Sequence, residues 1–193
     1  RGDVIPKVER VIESLRTHYC KPIELPSECP ACSSGIERAE GKVEYFCIND
    51  TCPSKVIGRL KYFVSRDGLD IKNLGDAAVE ALVAAGSIAS FSSIFHIGMD
   101  DLVAAGIGTA NGEKILLSID ARRESPFYKV LRAVGIPEVG DSTARLLANR
   151  YESFNVLGQA TEQELQLLDD IGPVVAKAIV DYIAENYRDL VAL

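Results

Sequence analysis

Between residues 67 and 193 the apolar positions fall at helical spacing and are broken by short turns of one recurring form. One copy is LDDIGPVVAKAIVDYI, residues 168–183, in which an aliphatic residue, a glycine and a proline open a strongly amphipathic stretch. The same aliphatic–glycine pair occurs at Leu74-Gly75, Ile107-Gly108, Val139-Gly140 and Ile171-Gly172, with glycines 33, 32 and 32 residues apart. Four residues after each glycine stands Val79, Gly112, Ala144 or Ala176, and seven after it Leu82, Ile115, Leu147 or Ile179. Positions i, i+4 and i+7 share one face of a helix. A period this regular marks a repeated supersecondary unit rather than an ordinary bundle with glycine-rich loops. Each unit is predicted to be a helix, a reversal and a second helix, with the aliphatic residue anchored between them.

Upstream, PSKVIGRLKYFVSRDG places Pro53 at a helix start, where proline is tolerated. Lys55, Arg59, Tyr62 and Arg66 then form one stripe, and Val56, Leu60 and Phe63 another. The first stripe is either a solvated face or a basic face for a phosphate backbone. Before it, GKVEYF alternates, with Val43 and Tyr45 on one side, which predicts a short β-hairpin.

Composition narrows the class. The chain has 193 residues, 47% of them hydrophobic, and no tryptophan. No apolar run approaches the roughly 20 residues of a membrane span. The start, RGDVIPKVER, is charged and lacks both a signal peptide and a methionine, so the chain reads as part of something longer, expected in the cytoplasm. Residues 1–66 hold 11 Lys and Arg against 9 Asp and Glu, whereas residues 67–193 hold 10 against 19. An acidic balance argues mildly against nucleic acid, because phosphate contacts favour a basic face.

Four of the five cysteines read Cys29-x2-Cys32-x14-Cys47-x4-Cys52. Two close pairs can converge on one tetrahedral Zn²⁺, and four thiolates leave no open position, so the site would be structural. Disulfides and a redox pair at Cys29 and Cys32 are the rivals. The leftover Cys20 and the intracellular character disfavour disulfides, and no βαβ context supports the redox pair. Cys20 itself is expected to be a buried or free thiol. His18 and His96 have no partner pattern.

The repeated turns have a physical use. Glycine permits backbone conformations closed to other residues and leaves no side chain in the way. The exposed N–H groups and positive end of each following helix form an anion site. Pro173, having no N–H, suits the first turn. An acidic chain can thus still present amides to phosphate.

These turns resemble the helix-hairpin-helix, a motif that binds the DNA backbone without reading sequence. Four copies after a four-cysteine finger resemble, over essentially all 193 residues, the C-terminal half of bacterial NAD-dependent DNA ligases. RGDVIPKV is similar to the end of that family's OB domain, KPIELPSECPAC to the lead-in to its finger, FVSRDGLDIKNLG to the junction into the first hairpin, and LRAVGIPEVGDSTARLLA to the third. The implied fold is mainly α: tandem helix-hairpin-helix repeats preceded by a small four-Cys zinc module with a short β-hairpin. The implied division is 1–28 for the OB tail and linker, 29–66 for the finger and following helix, and 67–193 for four repeats.

The resemblance implies nick sealing in duplex DNA, with NAD⁺ as adenylate donor and Mg²⁺ in the full-length enzyme. The family's adenylated lysine lies in Lys-x-Asp-Gly. Here the nearest stretch, SRDG, has Ser65 in that place, so this chain is expected to grip nicked duplex as a monomer, bound to no membrane, and not to react. Hairpins two to four are expected to bind phosphate better than the first, which carries Glu80 where the third and fourth carry Arg145 and Lys177. The expected DNA contacts are Lys55, Arg59, Gly106, Gly108, Thr109, Lys114, Gly140, Ser142, Thr143, Arg145, Gly172, Val174 and Lys177; the expected zinc ligands are Cys29, Cys32, Cys47 and Cys52. Two other classes stay open: a subunit of another repair protein built on the same hairpins, and a protein-interaction module similar to SAM domains.

Overall fold

The structure is a computed structural model describing residues 7–16, 21, 24–38 and 43–193. Cys20 and His18 lie outside the described residues, as does part of the stretch similar to an OB domain. The chain divides into two compact units, 1–49 and 50–193.

In the first unit, a 3-10 turn at Glu13–Leu15 precedes strands β1 (Ile36–Arg38) and β2 (Tyr45–Cys47). The strands pair antiparallel, Ile36 opposite Cys47 and Arg38 opposite Tyr45, which is the hairpin the alternation predicts. Just before β1 the chain closes a tight loop: the Ser33 amide donates to the Cys29 carbonyl and the Cys29 amide to the Ser34 carbonyl, with Ser33 left-handed at φ 56°.

The second unit is helical: α1 (Pro53–Val64), α2 (Asp76–Ala84), a 3-10 turn at Ser92–His96, α3 (Met99–Ala104), α4 (Thr109–Asp120), α5 (Phe127–Ala133), α6 (Asp141–Arg150), α7 (Phe154–Leu157), α8 (Glu162–Leu165) and α9 (Pro173–Val191). Pro53 and Pro173 each sit in the first turn of their helices, as expected. Helices pack in sequential pairs: α1 with α2, α3 with α4, α5 with α6, α8 with α9.

The predicted periodicity is the core. Val79, Gly112, Ala144 and Ala176 are buried, as are Leu82, Ile115, Leu147 and Ile179. Of the residues before the glycines, Leu74 and Ile171 are buried, while Ile107 and Val139 are half-buried. Gly112 has a packing reason, since a Cβ there would meet the Met99 sulfur at 2.8 Å. An alanine there would require the Met99 side chain to shift.

The connection from α1 to the first hairpin is wound tightly. The amides of Leu69 and Ile71 return to the carbonyls of Phe63 and Val64, and a Cβ on Gly68 would lie 2.3 Å from the Tyr62 carbonyl oxygen. Two arginines from later repeats hold this turn. Arg122 Nε donates to the Leu69 carbonyl at 2.7 Å, and Arg132 Nη2 to that of Gly68 at 3.3 Å.

Helix α9 ties distant parts together. The Tyr182 hydroxyl donates to the Val134 carbonyl beside the third turn. Arg59 of α1 donates to Asn186 Oδ1 at 3.0 Å. The Asp189 carboxylate accepts the Phe91 and Ser92 amides at 2.8 and 2.9 Å, capping the 3-10 turn.

Two substitutions measure these contributions by urea unfolding. Leu147→Ala, which empties a fully buried site, is expected to cost about 2–5 kcal/mol. Asp189→Ala, which leaves two amides without their acceptor, is expected to cost about 1–3 kcal/mol. A loss under about 0.5 kcal/mol for Asp189→Ala would show that this cap does not hold α9 in place.

Candidate metal centre and hairpin amide sites

The thiols of Cys29, Cys32, Cys47 and Cys52 converge, all four sulfurs lying within 4.8 Å of one another. Cys32 Sγ and Cys47 Sγ are 3.5 Å apart, and no disulfide joins the described cysteines. Four thiolates at about 2.3 Å from a tetrahedral zinc would be separated by about 3.8 Å, so the cluster fits Zn²⁺ with little rearrangement. Cys29 is contributed by the tight loop, Cys47 by β2 and Cys52 by the residue before α1. Cys29 and Cys52 are buried and the other two half-buried. Without metal, the Cys47 thiol is pushed up to about 12, chiefly by burial, with the neighbouring thiols of Cys32 and Cys29 adding to it. Binding zinc therefore expels protons, and acidification favours release.

The hairpin turns depart from expectation in one respect. Gly75, Gly108, Gly140 and Gly172 all cap their helices with negative φ, at −84°, −62°, −88° and −83°. No left-handed conformation is needed there, so the expectation that these glycines supply positive φ is corrected. The left-handed residue lies two positions earlier in every repeat: Asn73 (φ 66°), Gly106 (78°), Glu138 (64°) and Asp170 (63°). Asparagine, aspartate and glycine are the residues that tolerate it. The signal was legible in three of the four repeats, with Glu138 the exception.

Why the capping position is glycine then needs another reason. A Cβ built on Gly75, Gly108, Gly140 or Gly172 meets nothing within 4 Å. No side chain caps α2, α4, α6 or α9. By contrast, Ser153 caps α7, and Thr161 and Glu164 form a capping box on α8. The repeat turns thus present bare first-turn amides to open space.

The remaining expected residues fall into two groups. Gly106, Gly108, Thr109, Lys114, Gly140, Ser142, Arg145, Gly172, Val174 and Lys177 are exposed at or near the hairpins, and Thr143 is half-buried. Val174 is 73% exposed although apolar. Lys177 Nζ pairs with Asp181 Oδ2 at 2.8 Å, which raises the lysine above its ordinary value. Arg145 lies 4.0 Å over the Tyr128 ring, and its Nε donates to Asp141 Oδ2 at 2.8 Å. That bond holds the Asp141 carboxyl below the usual carboxylate range. Asp141, Tyr128 and Arg132 around the third turn were not singled out in sequence.

Lys55 and Arg59 sit apart, lining a cleft beside the third turn. Lys55 Nζ meets Asp50 Oδ1 at 3.0 Å, and Arg59 is held by Asn186 and, at 3.4 Å, by the Asp50 carbonyl. Half of the expected basic stripe is therefore spent within the chain.

A four-thiolate cluster followed by repeated amide-presenting hairpins defines a zinc-finger, helix-hairpin-helix protein. Residues 28–53 match the NAD-dependent DNA ligase C4 zinc finger domain, and residues 129–191 the helix-hairpin-helix motif. Over 187 residues, 96% of this chain, the sequence is 37% identical to a DNA ligase of Chlorobium phaeobacteroides. It is 39% identical over 183 residues to a DNA ligase of Chlorobium luteolum, and 36% over 193 residues to one of Acidobacterium capsulatum. The resemblance to bacterial NAD-dependent DNA ligases is borne out. The chain spans about 28% of the length of these relatives. Among the described residues, no helix is long and apolar enough to cross a membrane.

Purified without chelator, the chain should carry one zinc by metal analysis. Cys47→Ser should lose it and disorder residues 29–52, leaving the helical circular dichroism of the repeats largely intact. Substoichiometric zinc in the unmutated chain would refute the site.

Proposed function

We propose that this chain is the DNA-gripping part of an NAD-dependent DNA ligase, holding nicked duplex through backbone phosphates while the NAD⁺- and Mg²⁺-dependent sealing chemistry resides elsewhere in the full-length enzyme. The observation that carries the reading is the set of capping glycines. All four have ordinary negative φ, no internal neighbour that a Cβ would strike, and no side-chain cap. Nothing inside the chain calls for glycine at these places. A partner pressed against the amides does, and phosphate is the anion that helix starts accept. Backbone contacts of this kind position a duplex without reading its bases.

The hairpins differ in electrostatics. At the first, Asp76 and Glu80 both meet Lys61, at 3.4 and 2.5 Å, so that turn is fronted by carboxylates and is the least suited of the four to phosphate. The fourth has no acidic residue in its first helical turn and carries Lys177 on the next. At the third, Arg145 commits its Nε to Asp141 and lies over the Tyr128 ring, which fixes the cation beside the turn.

The test is affinity for nicked duplex against salt concentration. Gly172→Val is sterically allowed at φ −83°, ψ 174°, so the protein should fold, yet the added side chain stands between amides and phosphate. Its affinity should fall by about tenfold or more. Lys177→Ala should instead reduce the salt slope by about one unit. Unchanged affinity in folded Gly172→Val would mean that the turn only packs helices, favouring an interaction module.

A second outcome concerns chemistry. With NAD⁺, Mg²⁺ and nicked DNA, this chain should form no covalent adenylate, because Ser65 stands where the family's lysine would be. A mass shift of one adenylate would overturn the reading.

A further inference from the structure

The unit that carries the β-hairpin has no apolar core of its own. Among the described residues of 1–49, Cys29 alone is buried, whereas the hydrophobic core is built from residues between Leu60 and Leu190. Val43, Tyr45, Phe46 and Ile48, the large apolar residues in and around β2, are exposed. A small module without a core takes its folding energy from its metal. Whatever removes sulfur ligands therefore removes the fold of the finger.

The four sulfurs are not equally shielded. Cys29 and Cys52 are buried, while Cys32 and Cys47 are half-buried and lie against each other, 3.5 Å from Sγ to Sγ. Cys32 sits in the tight loop before β1, and Cys47 ends β2, so both belong to one hairpin. Thiolate is the nucleophilic form of cysteine, and zinc ligation requires that form. A disulfide holds its sulfurs about 2.05 Å apart, so the pair needs only a small further approach.

We infer that Cys32 and Cys47 form a site of reversible oxidation by hydrogen peroxide, which joins them and dismantles the finger. The sulfur of one attacks a peroxide oxygen, the O–O bond breaks, and a sulfenic acid and hydroxide result. The thiolate of the other displaces hydroxide from that sulfur and the S–S bond forms. In total, one peroxide takes two electrons from the two sulfurs and, with two protons from solvent, becomes two waters. Cys29 and Cys52 remain, too few to complete a tetrahedral site. Metal and the fold of 29–52 are lost together, and the repeats keep the core that is their own. A dithiol reductant reverses the step by exchange, becoming a disulfide itself.

The test treats zinc-loaded chain carrying Cys20→Ser with hydrogen peroxide, following zinc release with a chromophoric chelator and mapping the product peptides by mass spectrometry. One zinc per chain should be released, with peptides joined through Cys32 and Cys47, while the helical circular dichroism of the repeats persists. Dithiothreitol and added Zn²⁺ should restore the zinc content. Cys32→His keeps four ligands of a kind zinc accepts but removes one sulfur of the pair, and should slow release by about tenfold or more. Cys29→His keeps the pair and should release as fast as the unmutated chain. Zinc retained under peroxide, single sulfurs oxidised without a cross-link, or a disulfide joining any other pair would overturn the inference. The inference rests on the zinc centre, whose own failure shows separately, as chain that holds no zinc before peroxide is added.

Discussion

The structure of the repeats depends on one constraint: the uncapped amides that start α2, α4, α6 and α9 lie at exposed turns, while residues at fixed offsets from each turn are held in or against the core. Backbone N–H groups are expensive to hide without a partner, so each turn is pinned from below rather than covered from above. The aliphatic residue before the glycine anchors the turn. The small residue four positions on lets the paired helix approach, and the fully buried aliphatic seven positions on fixes the helix in the core. Leu74, Val79 and Leu82 do this in the first repeat, and Ile171, Ala176 and Ile179 in the last.

Much of this was legible because it is local. The buried periodic positions and the β-hairpin follow from residues within one helical turn or one loop of each other, and the glycine repeat and the two cysteine pairs are spacings read directly along the chain. The assignment of positive φ failed for an instructive reason: glycine draws attention as the left-handed residue, whereas the hairpins place Asn73, Glu138 and Asp170 there and use glycine for its missing side chain. Gly112, which lowers helix propensity at its position, packs directly against the Met99 side chain. The fate of Arg59 was out of reach, since its partner Asn186 lies 127 residues away. A helical stripe shows which residues share a face, not whether a distant helix has already engaged them.

The acidic balance has a similar local resolution. At the third turn, Asp141 orients the Arg145 guanidinium while Tyr128 supports it from beneath. The carboxylate costs some attraction for an anion but fixes the cation's position. Net charge over the region is thus a poor guide to what one turn offers. An exposed amide at a helix start attracts an anion without appearing in any count of lysines and arginines.

Helix α9 has a consequence for how the unit comes apart. Tandem repeats that touch only their neighbours behave as a linear chain of nearly independent segments, able to fray from either end. Here the final helix, 19 residues long, reaches back to α1 through Asn186 and to the 3-10 turn through Asp189. The last repeat is thereby fastened to the beginning of the array. Loss of the C-terminal helix removes partners from both ends of the series, so the terminal repeats are not its weakest units. Such fastening favours one cooperative transition over unravelling repeat by repeat.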